Sequence, residues 1–214
     1  MDDVFPQVVF SVFGIPIRDT VISTWIMMVL IIILVRVIWK THPMALEMLV
    51  EFIHDAISDV MGRSAEPYLP LLGSMAIFLA MANNIGIVPV LISPSRDINT
   101  PLAMALVVFF SVYYFGIRAK GALGYIKDLA SPIFMLPLEI IGQFSRTLSL
   151  TLRLFGNIIS TELVVAVIFS LVPPLLPLPI VGLSMFTGFL QAYIFTVLAA
   201  VYITTAVEED ENRE

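Results

Sequence analysis

Four charged residues lie in a long apolar stretch near the C-terminal end of the chain, and their types suit ion transfer. Between Leu129 and Val207 the charged side chains are Glu139, Arg146, Arg153 and Glu162. Acids can exchange protons with water, whereas an arginine stays charged at any physiological pH. Because removing a guanidinium from water costs several kcal/mol, ionisable groups at such depth indicate a functional site.

Helical geometry divides these side chains between two faces. Glu139, Arg146 and Arg153 are seven residues apart, so a helix places them on one stripe with about 20° of drift per step. Asn157 is four residues beyond Arg153 and shares that face. Glu162 is nine residues beyond Arg153, on roughly the opposite face and about 13.5 Å further along the axis. Arg153 and Glu162 therefore cannot form a simple ion pair within the helix.

The order acid, arginine, acid along one membrane-crossing helix predicts two separate routes for ions. Arg153 is a permanent cation between Glu139 and Glu162, and a permanent cation is a fixed barrier to cation leak. It can also attract a mobile carboxylate on a partner protein and favour its ionised form. We therefore expect Arg153 to separate two aqueous access routes, one from each side of the membrane.

Other polar groups in the same region have simpler interpretations. Arg146 either reaches the cytoplasmic interface or pairs with Glu139. Ser184 is expected near the depth of Glu162, and Gln191 nearer that of Arg153. A lone polar residue in a span usually joins helices by hydrogen bonding, and this is the role predicted for Ser160, Ser184 and Asn84.

The composition is that of an integral membrane protein. Hydrophobic residues make up 59% of the 214 residues and charged residues only 13%, compared with about 25% charged in a soluble domain. The absence of cysteine excludes disulfides and thiol ligands. Two histidines are too few for a typical histidine zinc site, so neither a metal nor a cofactor is expected.

Five stretches are apolar and long enough to predict membrane spans. A sixth, Met44–Met61, carries acids every three to four residues, which predicts an amphipathic helix at the interface or against a partner rather than a catalytic carboxylate cluster. The prolines of 172–179 predict a turn between two long arms. The first arm, about 58 Å long, must tilt strongly or break, and Pro137 marks a possible bend. The predicted spans are Val21–Ile38, Leu69–Ile92, Leu102–Ile117, Ile133–Leu171 and Ile180–Val207.

The predicted fold class is an all-α membrane protein with five transmembrane helices, one amphipathic interfacial helix and a long tilted helical hairpin in the C-terminal half. We expect one membrane domain over 1–214, divided into an outer N-terminal segment (1–20), three spans with the interfacial helix (21–128), the hairpin (129–207) and an acidic tail (208–214). The N-terminal segment lacks the basic region of a cleavable signal peptide, so the first helix is expected to direct insertion and remain.

Basic residues predict the orientation of these spans. Two basic groups, one after the first span and one after the third, are placed in the cytoplasm by the positive-inside rule. The N-terminal segment, the loop 93–101 and the proline turn then lie outside, and the tail lies inside. The two groups are Arg36, Lys40 and Arg63, and Arg118, Lys120 and Lys127.

The sequence resembles subunit a of the rotary F-type ATP synthases over about residues 21–207. The stretch SLTLRLFGNIISTELV, with its signature L-R-L-F-G-N, and the later LQAYIFTVLAAVYI carry the resemblance. Three further stretches agree: MANNIGIVPV, PSRDINTPLAMALVVFF and FMLPLEIIGQFSRTLSL. Glu162, nine residues after the arginine of the signature, adds to the specificity of this combination.

The resemblance implies a role for each matching residue. Arg153 is similar to the essential arginine that faces the rotating c-ring, Glu162 to the acid of the outer access channel and Glu139 to an acid near the inner one. Asn157 and Gln191 match polar neighbours of that arginine. The resemblance assigns recurrent channel positions, with weaker matches, to Asn83, Asp97 and Tyr202.

The resemblance also implies the partners and the location. These are the c-ring, the peripheral-stalk b subunits and membrane lipid, with no nucleic acid. Protons are the expected coupling ion, with Na⁺ as the alternative, and the chain itself is expected to be non-catalytic. The pattern is closer to bacterial and chloroplast forms than to mitochondrial ones, which favours a bacterial inner membrane over a thylakoid membrane.

Two positions depart from the pattern of the family. Ser184 stands where some members have a histidine that works with the channel acid, so proton relay would depend on Glu162 and water. Thr147 stands where many members have proline. A stand-alone ion transporter or channel is the alternative function, although the sequence has no internal repeat of the kind that carriers commonly show. A purely structural assembly subunit is a second alternative, which does not require a permanent charge such as Arg153.

Overall fold

The computed structural model describes residues 8–12, 15–87, 91–129, 136–171 and 178–208. Within these residues the chain is almost entirely helical. Two short 3₁₀ turns, Ile85–Ile87 and Pro94–Arg96, flank the link between the second and third spans. The other elements are β1 (Val8–Val12), β2 (Ile15–Arg18), α1 (Asp19–Thr41), α2 (Pro43–Met61), α3 (Leu69–Asn84), α4 (Asn99–Lys120), α5 (Ala122–Leu129), α6 (Leu136–Leu171) and α7 (Leu178–Glu208).

Five helices, α1, α3, α4, α6 and α7, are long and apolar enough to cross a membrane. The prediction of an all-α membrane protein with five spans is therefore confirmed. The residues 172–177 of the predicted proline turn and the tail from 209 onward lie outside the described residues.

The long arm of the predicted hairpin is one continuous helix from Leu136 to Leu171. Its 36 residues correspond to about 54 Å. Pro137 is the second residue of this helix, where no backbone N–H is needed for the helical ladder, and residues 133–135 of the predicted arm, on the other side of the bend expected at Pro137, lie outside the described residues. An unbroken helix of this length can stay within an apolar layer of about 30 Å only by tilting.

The packed interior is built around α7, which contacts α3 most extensively and also α2, α4 and α6. Small residues on α7 let the neighbouring backbones approach closely, as is usual between membrane helices. Ala199 and Ala200 are fully buried there, beside Phe195 and Ile203. By contrast, most side chains of α1 are exposed on the surface of the chain.

The amphipathic helix α2 packs against its own chain at its C-terminal end. Ile57 and Met61 are buried in the main core, and α2 contacts α1, α3 and α7. The acidic stripe remains on the outside, with Glu47, Glu51 and Asp59 exposed.

Two elements were not predicted from the sequence. The first is the antiparallel hairpin β1–β2, in which Phe10 pairs with Ile17 and which leads directly into α1. The second is α5, which folds back so that the ring of Tyr125 lies on Gly116 of α4. A Cβ atom at Gly116 would be 2.5 Å from Tyr125 Cε2, so the ring occupies the space that a side chain would fill.

We predict that Gly116→Ala destabilises the chain by about 1–3 kcal/mol, because the added methyl group overlaps the buried ring of Tyr125. The measurement is reversible unfolding in detergent. The matched control is Gly142→Ala, also within a helix, where a Cβ meets nothing within 4 Å. That control should be neutral or slightly stabilising, since alanine favours a helix over glycine. Equal stability of the two variants would contradict the packing described for α5.

Candidate functional site

A polar cleft of about 370 Å³ lies where the end of α3, the turn Pro94–Arg96, α6 and α7 meet. Its walls are apolar for the most part, but nine polar or charged side chains line it. Such a combination, an apolar cavity with a few convergent polar groups, is typical of a site for a small ligand or ion. The nine are Asn83, Asn84, Ser93, Arg96, Asn157, Thr161, Glu162, Ser184 and Thr187.

Glu162 forms an ion pair with Arg96 inside this cleft. Arg96 Nε lies 3.1 Å from Glu162 Oε2, and the two side chains are only 11% and 29% exposed. A buried pair of this kind needs both partners, because removal of one leaves an uncompensated charge. The acid that the sequence singled out thus has a partner from a loop 66 residues earlier in the chain.

Arg96 was not among the residues that sequence reasoning selected. The loop 93–101 was considered only as a loop outside the membrane and as part of the stretch PSRDINTPLAMALVVFF, in which Asp97 was selected. A signal was nevertheless present, since an arginine in a loop predicted to lie outside runs against the positive-inside rule. A basic residue in such a loop suggests a specific partner, and in this structure the partner of Arg96 is the Glu162 carboxylate.

Asp97, the neighbour of Arg96, joins three elements and does not line the cleft. It is 4% exposed and its Oδ2 accepts from Arg18 Nη1 at 2.7 Å and from Thr20 Oγ1 at 3.4 Å. Its Oδ1 accepts from the backbone N–H and the side-chain amide of Asn99 at 3.1 and 2.9 Å. This cluster of Arg18, Thr20, Asp97 and Asn99, called the clamp below, ties α1 and α4 to the turn that carries Arg96.

Asn83 joins α3 to α7 and to the loop. Its amide donates to the carbonyl oxygen of Gly188 at 3.1 Å, and its Oδ1 accepts from Ser95 Oγ at 2.9 Å. Asn84 instead donates to Ala80 within its own helix, and its buried Oδ1 has no hydrogen bond. Asn84 therefore differs from the prediction, because its hydrogen bond does not join two helices.

Ser184 and Glu162 line the same cleft, as their predicted depths require. The hydroxyl of Ser184 donates to Ile180 in its own helix at 2.9 Å, so it does not join helices by a hydrogen bond as expected. Asn157 lines the deep end of the cleft on α6. Because Asn157 is one helical turn from Arg153, the cleft ends about 6 Å along the axis from that arginine.

Arg153 lies on the uncovered side of α6. Its side chain is exposed, as are those of Ser149, Leu152 and Ser160 around it. Leu150 and Leu154, on a neighbouring face of the helix, are buried. Among the residues that the structure describes, Arg153 has neither a hydrogen bond nor an ion pair.

The other end of α6 holds Glu139 and Arg146, which do not pair with each other. Glu139 Oε1 accepts from Gln143 Nε2 at 3.1 Å, one turn further along. The guanidinium of Arg146 lies over the ring of Tyr202, 5.4 Å from its centroid, in a cation–π contact with α7. The structure therefore does not contain the ion pair between Arg146 and Glu139, which was one of the two predicted alternatives.

Gln191 is buried on α7, and its Nε2 has no hydrogen-bond partner among the residues described. A buried amide without a partner is uncommon and indicates either an unseen neighbour or a functional group held ready. The part of the chain that the structure describes contains no group of three or more His, Cys, Asp or Glu side chains arranged to hold a metal ion.

Comparison with known proteins gives one consistent result. A family model described as ATP synthase A chain matches residues 21–204. The chain is 40% identical to ATP synthase subunit a 2 of Bradyrhizobium sp. strain BTAi1, with 92% of each protein covered. It is 38% identical to ATP synthase subunit a 2 of Picosynechococcus sp. strain PCC 7002, over 92% of this chain and 89% of that protein. It is 34% identical to ATP synthase subunit a of Legionella pneumophila strain Philadelphia 1, over 94% and 92%.

We predict that Asp97→Asn destabilises the chain by about 1–3 kcal/mol, because the clamp loses a charge-assisted hydrogen bond and gains an amide NH₂ group among neighbours that all donate. Thermal unfolding in detergent measures this. Asp55→Asn is the control, since Asp55 is 66% exposed and pairs with the adjacent His54, and an exposed change of this kind stays within about 0.5 kcal/mol. Unchanged stability in Asp97→Asn would show that the clamp contributes nothing.

Proposed function

The chain belongs to the ATP synthase A chain family, and we propose that it is the ion-conducting stator subunit of a rotary F-type ATP synthase. In this role it carries ions to and from carboxylates on a c-ring through two offset half-channels. The observation that carries the proposal is the arrangement of α6, where Arg153 is exposed and has no partner among the described residues while the cleft ends one turn away.

The outer half-channel is the cleft around Glu162. Its polar lining gives an arriving ion partners at several depths, from Ser93 near the loop to Asn157 beside the level of Arg153. Glu162 supplies the carboxylate at which a proton can be held. Ser184, whose hydroxyl proton is engaged with Ile180, can still accept a hydrogen bond from water, and Asn83 keeps α3 and α7 in place beside it.

Arg153 is the barrier between the two half-channels. It stays charged at any physiological pH, so it repels cations that would cross directly. It also attracts an ionised carboxylate on the ring, and that carboxylate supplies the partner that Arg153 lacks among the described residues of this chain. A ring carboxylate therefore releases its ion on arrival and takes up another only after it has passed the arginine.

The inner half-channel is assigned to the end of α6 that carries Glu139. Glu139 is half-buried and bonded to Gln143, and Tyr202 and Arg146 close one side through their stacking contact. The amide nitrogen of Gln191 has no hydrogen-bond partner among the described residues, and because this atom is buried, the partner assigned to it is a water molecule of the ion path.

Protons are the proposed coupling ion. The choice between H⁺ and Na⁺ depends on ligands on the ring rather than on this chain. The chain acts as one membrane domain, non-catalytic by itself, and its partners are the c-ring and the peripheral-stalk b subunits. Similarity to bacterial relatives favours the bacterial inner membrane.

We predict that Arg153→Ala abolishes ion-driven ATP synthesis while the complex still assembles, because the barrier and the counter-charge for the ring are lost together. The measurement is ATP synthesis by the purified complex in vesicles after an imposed ion gradient. Arg36→Ala serves as the control, since Arg36 is an exposed arginine in α1 away from the cleft. Normal synthesis in Arg153→Ala would refute the proposal.

Cross-linking tests which face meets the ring. Because the chain contains no cysteine, a single cysteine can be introduced without first replacing native cysteines. We expect Leu152→Cys, next to Arg153 and 58% exposed, to cross-link to a ring subunit that carries a cysteine beside its carboxylate. Leu34→Cys, 43% exposed on α1, should not. Cross-linking from Leu34→Cys but not from Leu152→Cys would show that the ring lies against α1 rather than α6 and would contradict this prediction.

A further inference from the structure

We propose that Arg96 is a positioning residue of the outer access route, which holds the Glu162 carboxylate against one wall of the cleft by means of its fixed positive charge. The inference rests on the proposed function, because it names a second arginine of the same ion path. Arg96 acts through Glu162, and its side chain is the more buried of the two.

The ion pair engages one of the two oxygens of the Glu162 carboxylate. Arg96 Nε bonds Oε2 at 3.1 Å, and Oε1 has no hydrogen bond to the residues that the structure describes. Oε1 points toward Gly86, where a Cβ atom would lie 4.0 Å away. Since Gly86 has no side chain, the space in front of Oε1 belongs to the cleft. A proton can therefore reach this oxygen while the other oxygen stays bound to Arg96.

The backbone that carries Arg96 is itself fixed. The turn Pro94–Arg96 is closed by hydrogen bonds from the Arg96 N–H to Ser93 O and from the Asp97 N–H to Pro94 O, at 3.1 and 3.3 Å. Ser93 Oγ donates to Ala82 O of α3 at 2.8 Å, and the clamp around Asp97 ties the turn to α1 and α4. Arg96 thus reaches Glu162 from a support that three helices hold.

The fixed charge determines where the Glu162 side chain lies. Glu162 belongs to α6, and glutamate has several rotamers available on a helix surface that is partly open. With Arg96 present, Coulomb attraction in a poorly solvated cleft selects the rotamer that lies beside Gly86. Without it, the carboxylate can turn away from the cleft, and misplacing a proton-relay group by about 1 Å is enough to lower a rate many-fold.

Chemical restoration of the charge tests this role. Arg96→Cys in the assembled complex should lower ion-driven ATP synthesis about tenfold. A thiol reagent that attaches an aminoethyl group then restores a cation on an arm of similar length and should recover much of the rate. A reagent that attaches a neutral group of similar size should not, and one that attaches an ethylsulfonate should lower the rate further. Equal effects of the three adducts would overturn the proposal, since space filling alone would then explain Arg96.

Three controls complete the experiment. The wild-type complex treated with the same reagents shows any effect of cysteines in the other subunits. Ile98→Cys lies two residues from Arg96, exposed and outside the cleft lining, and its rate of synthesis should change with none of the three reagents. Mass spectrometry of the chain measures labelling.

If the reagents do not reach the cleft, Arg96→Lys and Arg96→Gln test the proposal instead. Lysine should keep most of the rate and glutamine should not, and equal losses would overturn the proposal.

The outcomes for Arg96 are separate from those for the stator function itself. Loss of synthesis in Arg153→Ala with adduct-independent effects at position 96 would leave the stator function intact and refute the positioning role. A wild-type complex that synthesises no ATP from an ion gradient would refute both.

Discussion

The cost of a charge in an apolar medium governs this molecule. An ionised group in poorly solvated surroundings needs a partner, and Arg96 and Arg153 differ in where such a partner is found. Arg96 finds its partner within the chain, at Glu162. Arg153 has no partner among the described residues, and its side chain is exposed on α6. One arginine is therefore held against its acid, whereas the function proposed above has the other meet ring carboxylates that arrive and leave.

The helices around the cleft are positioned mainly by close packing at small residues. Alanines on α7 let α3 and α4 approach closely, and Gly188 admits the amide of Asn84, whose Oδ1 would lie 2.9 Å from an added Cβ. The long helix α6 crosses this bundle and contributes Glu162 to the cleft and Arg153 to the outer surface. Because the two residues lie on opposite faces of one helix, the access and barrier roles proposed for them are separated by geometry that side-chain motion cannot remove.

Much of this arrangement follows from patterns of residues along the chain. The five spans, the amphipathic helix and the facing of Glu139, Arg146 and Arg153 follow from apolar length and helical period. The shared depth of Ser184 and Glu162 follows from counting residues back from a turn. The hairpin β1–β2 was missed because a short two-stranded ribbon has a weak pattern. The helix α5 was missed because eight residues that contain Gly124 and follow Gly121 resemble a loop.

The sequence alone determined which groups are ionisable, which helices carry them and which face each occupies, because hydropathy and the 3.6-residue period are local properties. Only the tertiary structure decided which groups meet. The pair Arg96–Glu162 and the clamp Arg18–Asp97 join residues 66 and 79 positions apart, and no local pattern encodes such contacts. They depend on how the loop after α3 folds over α6 and α1, which is settled by the packing of whole helices and by the need to pair buried charges.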